Sequence, residues 1–291
     1  MFNYIDIGKR LKAYRMGAAL KAEDVARALG VSRTAIYRLE QGQIVKLDVL
    51  ERLADLLGAT LPSLLGIEVE YYAGALAFFE RMRQIEETSK QIVSHFEPVS
   101  FLLTSDGYTK RLRAALIESL PAAMSNRAKA TKRIDSLIAV LDERKESFVR
   151  RRPSITNIIG TREIERFVHI GLIGRLDVPP ARRRESIDVA RAEVEHIASL
   201  MEQEPIGIQI GVVDDNMPNV TFQIFRETHG AHLAVSPFRL GELPNVRTGI
   251  ATVTASPEAI ELYRKMVEDL WSRARKGRTG AALLRRLAKN A

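Results

Sequence analysis

The chain has 291 residues, 46% hydrophobic and 27% charged, the balance of a globular protein long enough for two domains. No apolar run approaches the ~20 residues of a membrane helix. The N-terminus, Met1-Phe2-Asn3-Tyr4-Ile5-Asp6, lacks the basic and apolar regions of a secretory signal. Zero cysteines exclude disulfides and thiolate metal sites, and together these features fit a cytoplasmic protein.

Net charge is +8 and unevenly spread. Residues 1–66 carry 10 Lys/Arg against 7 Asp/Glu, and residues 67–126 carry 6 against 8. Residues 127–184 carry 15 against 7, residues 185–262 carry 4 against 12, and residues 263–291 carry 9 against 2. The basic middle and tail could contact a polyanion, but neighbouring blocks of opposite sign more readily complement one another.

Ile7, Leu11 and Tyr14 recur at helical spacing, and Val25, Ala26 and Leu29 form the apolar edge of a helix over Ala22–Leu29. Gly30 ends that helix and Ser32 is a hydroxyl N-cap for the next. Ile36 and Leu39 give the next helix one apolar edge, and Gly42 stops it. Arg33, Thr34, Tyr37 and Arg38 stand on its other side, as a helix entering the major groove requires. Leu47, Leu50, Leu53, Ala54 and Leu57 predict a further helix ending at Gly58, and Leu61–Leu65 a last short one. Residues 5–66 thus hold five short helices.

Leu20, Glu23, Val25-Ala26, Gly30-Val31-Ser32, Ile36 and Leu39-Glu40-x-Gly42 together resemble the phage repressor/Cro type of helix-turn-helix found in bacterial regulators. The resemblance implies a double-stranded DNA operator as partner. By it, and by their place on the helix, Arg33, Thr34 and Arg38 are base readers, with Tyr37 a fourth candidate. It further implies DNA-backbone contacts from Lys21, Ser32, Gln41, Gln43 and Lys46, and a structural ion pair between Arg15 and Glu40. One departure stands out: the family starts its second helix with Ser or Thr followed by Gln, where this chain has Lys21-Ala22. One recognition helix reads only a few base pairs, so a homodimer is expected.

Val69, Tyr72, Leu76 and Phe79, continued by Ile85, Ile92 and Phe96, predict one long linker helix over residues 68–95, a seam for its own chain or for a second subunit. Helices follow over Asp106–Leu120 and from about Pro121 to Arg150, then a strand over Ser154–Ile159 and a short helix over Arg162–His169. Pro179-Pro180 starts a helix to about Glu202. Residues 206–213, 220–225, 232–235 and 249–254 read as strands, with turns at Asn216-Met217-Pro218-Asn219 and His229-Gly230. Ser256-Pro257 opens a helix to about Lys276, and Ala281–Lys289 forms the last. Strand 206–213 is apolar at nearly every residue, so both its faces need cover, which the helices on either side of it in sequence can supply.

Glu97-Pro98, Leu102-Leu103-Thr104, Tyr108, the run Arg150-Arg151-Arg152 leading to Glu163, and the helix Tyr263–Trp271 resemble the effector domain that follows a repressor-type helix-turn-helix in many actinobacterial regulators. That family has Pro-Gly where this chain has Ser100-Phe101, and its Gln is absent. The resemblance implies a small-molecule or protein effector and a pocket at Phe101, Leu102, Leu103, Thr104 and Tyr108. The expected organisation is multidomain: an all-α helix-turn-helix over residues 1–66, a linker helix over 67–96, and an α/β domain with a mixed sheet over 97–291.

Catalytic signals are weak. His229 and His232 flank a glycine-containing turn without a third ligand in reach, and Asp214-Asp215 ends a strand where aspartate makes turns. Gly207 and Gly211 are not followed by Gly-Lys-Ser/Thr, and neither a Gly-x-Ser-x-Gly elbow nor an HExxH helix occurs. No catalytic residue, metal or cofactor is therefore assigned. The expectation is a ligand- or partner-responsive DNA-binding transcriptional regulator. The alternative is an enzyme or nucleic-acid-processing domain targeted to DNA by the helix-turn-helix.

Overall fold

Short apolar-edged helices, with left-handed glycines at Gly30, Gly42, Gly58 and Gly66, open the chain. A computed structural model describes residues 4–43, 47–66, 69–214 and 217–290. The N-terminal helices are α1 (Tyr4–Gly17), α2 (Ala22–Leu29), α3 (Arg33–Glu40), α4 (Leu47–Leu57) and α5 (Leu61–Leu65). Val25, Leu29, Ile36, Leu39, Leu53 and Leu64 are buried among them, so each helix gives its apolar edge to one small core. α1 differs: it buries Ile7, Arg10, Leu11, Ala13 and Tyr14 around much of its circumference, because it is packed on two sides.

The rest of the chain is built on one mixed sheet. Its strands are β1 (Val69–Tyr72), β2 (Gln91–His95), β3 (Ser154–Gly160), β4 (Ile208–Val213), β5 (Thr221–Glu227), β6 (Gly230–Ser236), β7 (Ala251–Thr254) and β8 (Arg275–Lys276), in the order β1-β7-β6-β5-β2-β3-β4-β8. β2, β3 and β4 run parallel, and the other pairings are antiparallel. Parallel neighbours need long crossovers. Here α7 (Tyr108–Glu118) and α8 (Arg127–Arg151) connect β2 to β3, and α9 (Thr161–Ile170) and α10 (Pro180–Gln203) connect β3 to β4.

Both faces are covered. On one, Val93, Ile158, Val213, Phe222, Ile224 and Leu233 meet Val267 and Leu270 of α11 (Pro257–Arg273). On the other, Ile92, Ile155, Ile159, Ile210, Val212 and Phe225 join the main core beneath the helices, α10 and α12 (Gly277–Asn290) among them. No helix among the described residues is long and apolar enough to cross a membrane.

Several boundaries differ from the sequence expectation, and one difference changes the architecture. Residues 69–95 are not a linker helix: they form β1, then α6 (Ala75–Glu86), then β2, all parts of the second domain. Gly74, extended at φ −149° and ψ 143°, is the N-cap that separates β1 from α6. At the far end the Thr88 and Ser89 hydroxyls donate back to the Ile85 carbonyl at 3.1 and 2.8 Å, closing α6 before β-branched Ile92-Val93. Val69 and Tyr72 merely continue the helical period of Leu76 and Phe79. α6 is buried on nearly every side, from Ala75 through Glu86, so it offers no free seam to a second subunit. Elsewhere α8 starts at Arg127, where the Asn126 side chain accepts from the Lys129 amide at 3.1 Å, and α11 gives way to edge strand β8.

The junction between the two parts is charged and buried. The Glu70 carboxylate accepts from Arg81 Nε and Nη2 at 2.9 and 3.0 Å, from Arg10 Nη1 at 3.2 Å and from the Tyr72 hydroxyl at 2.6 Å. Arg10 also donates to the Leu64 and Leu65 carbonyls at 2.8 and 2.9 Å, satisfying the end of α5. Glu70 is 4% exposed, Arg10 6% and Arg81 2%. Burial pushes the Glu70 pKa up, but Arg81 and Arg10 outweigh it and hold the carboxyl below its usual range. Beside it Tyr14 stacks on Tyr72 at 4.8 Å and donates to the Tyr71 carbonyl at 2.8 Å. Burial, and then the Glu70 charge, push the Tyr14 hydroxyl up to about 12, keeping it a neutral donor.

Removing one partner of such a cluster strands the others. Glu70→Gln is expected to cost about 3–5 kcal/mol at neutral pH. In the parent protein the contribution of Glu70 is complete above the unfolded carboxylate value of ~4.3 and is lost as pH falls through the lower folded value. The variant should therefore lack that acid-side loss. Denaturant unfolding followed by circular dichroism, from neutral pH down through the carboxylate range, checks both points.

Candidate nucleic-acid interface

The α2–turn–α3 unit is made by local chemistry. Gly30 takes φ +70° at the end of α2, a conformation a Cβ would strain. The following Val31 amide bonds the Ala26 carbonyl at 3.0 Å and Gly30 the Arg27 carbonyl at 3.3 Å, the paired bonds of a Schellman end. Two residues on, Ser32 is extended at φ −76° and ψ 152°, and its hydroxyl accepts from the Ala35 amide at 3.1 Å. The chain thus stops one helix, turns and starts another within three residues, which sets the two helices at a steep angle.

α3 then divides by exposure. Ile36 and Leu39 are 0% and 6% exposed and hold the helix to α1 and α2. Arg33, Thr34, Tyr37 and Arg38 are all exposed on the other side. Gly8 of α1 lets the two helices cross: a Cβ there would stand 2.6 Å from the Leu39 and Glu40 carbonyl oxygens. Arg15 and Glu40 fasten the same crossing. Arg15 Nε lies 2.5 Å from Glu40 Oε1 and Nη2 3.1 Å from Oε2, while Nη1 reaches the Leu20 carbonyl at 2.9 Å.

The four exposed side chains are not equivalent. Arg33 is held back along the helix surface: its Nη1 is 2.9 Å from Glu23 Oε1, its Nη2 and Nε donate to the Tyr37 hydroxyl at 3.0 and 3.3 Å, and its Cζ sits 5.3 Å from the Tyr37 ring centre. The Tyr37 hydrogen bond and the Glu23 carboxylate raise the Arg33 pKa. Arg38 has no side-chain hydrogen bond or ion pair among the described residues, and its guanidinium is free to meet a partner. The role of Glu23 has no signal in the sequence, since ten residues and a turn separate it from Arg33.

The expected backbone contacts are placed less uniformly. Lys21 is exposed and its amide donates to Asp24 Oδ2 at 3.2 Å at the start of α2. Ser32, Gln41 and Gln43 are exposed at the two ends of α3, and Lys46 lies outside the described residues.

Phe101, Leu102, Leu103, Thr104 and Tyr108, the residues expected to line an effector pocket, sit inside the second domain. These residues are 2–6% exposed and fill the core. The Tyr108 hydroxyl donates to the Leu240 carbonyl at 2.7 Å, and Lys145 Nζ donates to the Thr104 and Ser105 carbonyls at 2.6 and 2.7 Å. Burying a turn this deeply requires partners for its carbonyls, which is why polar atoms converge on it. Of the other polar candidates, Asp214 is paired with Arg275 at 2.7 Å, and His232 Nδ1 stands 4.0 Å from Glu227. The basic tail meets the acidic block directly, Arg285 of α12 bridging Glu195 and Glu202 of α10 at 2.8 and 2.6 Å.

Arg15 and Glu40 are 12% and 7% exposed in their side chains, shielded enough for the loss of one to strand the other. Arg15→Ala should destabilise the helix-turn-helix by about 3 kcal/mol. Hydrogen exchange resolved by segment checks it: α3 amides should exchange faster while those of β2 and β3 do not. Equal exchange in α3 would reject the role.

Residues 6–65 match the family model described as a helix-turn-helix domain. No curated protein matches the chain. The amino-terminal helices are therefore a helix-turn-helix domain of the kind that DNA-binding regulators carry.

Proposed function

We propose that the protein is a sequence-specific, DNA-binding transcription regulator that acts in the cytoplasm as a homodimer, without catalysis, and that its larger domain responds to an effector. The observation that carries this reading is the exposed face of α3. A helix capped by Ser32 and anchored by Ile36 and Leu39 presents Arg33, Thr34, Tyr37 and Arg38 outward, away from the α1 and α2 contacts. A short polar helix of this kind fits the major groove, where arginine makes bidentate bonds to guanine and a threonine methyl meets thymine. Arg38 is the principal reader, because its guanidinium has no partner among the described residues. Arg33 reads after exchanging Glu23 for a base edge, or stays clamped and steers by charge. The sensor reading is supported by the joint at Glu70, through which any rearrangement of α6 or β1 acts directly on α1.

Selection of bound fragments from genomic DNA tests the first part. The protein should enrich one motif, and Arg38→Ala should relax one base position, a loss of about 1–3 kcal/mol of discrimination. No enrichment, or an unchanged motif from the variant, would reject it. Light scattering at micromolar concentration tests the second part. A dimeric mass, alone or on the selected DNA, is expected, since two-fold dimers place recognition helices ~34–36 Å apart; a monomer under both conditions would overturn it.

A further inference from the structure

Between the helix-turn-helix and the larger domain lies a cleft of about 870 Å³. Small-molecule sites typically span ~300–1,000 Å³ and are mostly apolar with a few convergent polar groups. One wall is the end of α1 and the end of α4, with Ala18, Leu57 and Gly58; the other is α7, α8 and the segment 246–250. Two large apolar side chains stand open in it, Tyr71 at 55% exposure and Ile250 at 64%. Exposed apolar groups in a concave wall are a feature of ligand-binding grooves.

The charge of the lining narrows the occupant. Lys129, Arg133 and Arg247 line the cleft, and among the described residues no aspartate or glutamate does. Lys129 and Arg133 are one turn apart on α8, so their side chains lie side by side. Both are exposed, and neither makes a side-chain hydrogen bond or ion pair among the described residues. Arg247 gives one bond, to the Ser119 carbonyl at 3.1 Å. This contrasts with the rest of the molecule, where arginines such as Arg144 and Arg285 are matched to carboxylates. The apolar lining is mainly aliphatic, and the rings of Tyr14 and Tyr72 are already stacked on one another.

We propose that this cleft binds an amphipathic anion, a small molecule with an aliphatic tail and a carboxylate or phosphate head, the tail against the apolar walls and the head between Lys129, Arg133 and Arg247. Because both parts of the protein line the cleft, such a ligand binds one arrangement of the two better than another and shifts their balance. The regulatory half of this proposal rests on the reading of the chain as an effector-responsive regulator; the binding half does not.

Calorimetry on the full-length protein separates the two. Octanoate, decanoate and dodecanoate, each below its micellar concentration, should bind one to one and tighten about tenfold per two carbons, as buried methylenes require. The double variant Lys129→Glu/Arg133→Glu should weaken dodecanoate about tenfold or more with an unchanged melting temperature, both residues being exposed and unpaired. Ile250→Glu, which places a carboxylate in the wall at another exposed position, should do the same and guards against a fault in α8. Absence of binding, equal binding of decyltrimethylammonium or decanol, or undiminished binding by the charge variants would overturn the site. If Lys129→Glu/Arg133→Glu instead weakens only DNA binding, those cations serve the phosphate backbone and the site is overturned as well. In the second arm, dodecanoate should change the Kd for the selected DNA. Saturable binding with no such change would leave the site standing and overturn its regulatory role.

Discussion

One buried carboxylate joins the two halves of this protein. Glu70 lies on the first strand after the helix-turn-helix and is shared by Arg10 of α1 and Arg81 of α6. None of the three charges could be buried alone, since desolvating an unpaired ion costs several kcal/mol. Each therefore fixes where the other two must stand. Arg10 extends the constraint by using its remaining donors on the last carbonyls of α5. The position of α3 relative to the sheet follows from this cluster, because α1 packs on α3 on one side and on α6 on the other.

That arrangement explains the composition of α1. A helix with one neighbour shows one apolar stripe. α1 has two neighbours and a charged joint, so Gly8, Arg10, Leu11 and Tyr14 are buried in different directions. Gly8 permits close crossing of α3, Arg15 clamps Glu40, and Tyr14 stacks on Tyr72. Sequence position and mechanical role coincide: one short helix touches α3, α6 and the cleft.

The sheet shows the same division of labour on a larger scale. Its parallel strands β2, β3 and β4 are apolar on both faces and are sandwiched, with α11 on one face and α10 and α12 on the other. The Phe101–Leu103 turn and Tyr108 serve that packing, which is why side chains typical of a binding pocket are closed off by Lys145, His196 and the Leu240 carbonyl. The open space lies where the helix-turn-helix and the larger domain meet, and junctions between domains are where clefts form.

Local rules were enough to determine the helix-turn-helix. Gly30, Ser32, Ile36, Leu39 and Gly42 act within a few residues of themselves, through a left-handed turn, a cap and a helical period, so their meaning is readable without the fold. The same holds for Pro180 and Ser256-Pro257 at helix starts and for the apolar run of β4. Residues 69–95 were misleading for the converse reason: Val69 and Tyr72 fit a helical period by position, and only the pairing of β1 with β7 decides that they are strand. The carboxylate partner of Arg10 lies 60 residues away, that of Arg144 lies 58 away, and Glu23 meets Arg33 across a turn. Charge pairing at such distances leaves no periodic trace along the chain, because any of the 36 acidic residues could answer any of the 44 basic ones until the backbone brings one pair together. The tertiary structure alone decided which cations stayed unmatched, and those of the cleft are among them.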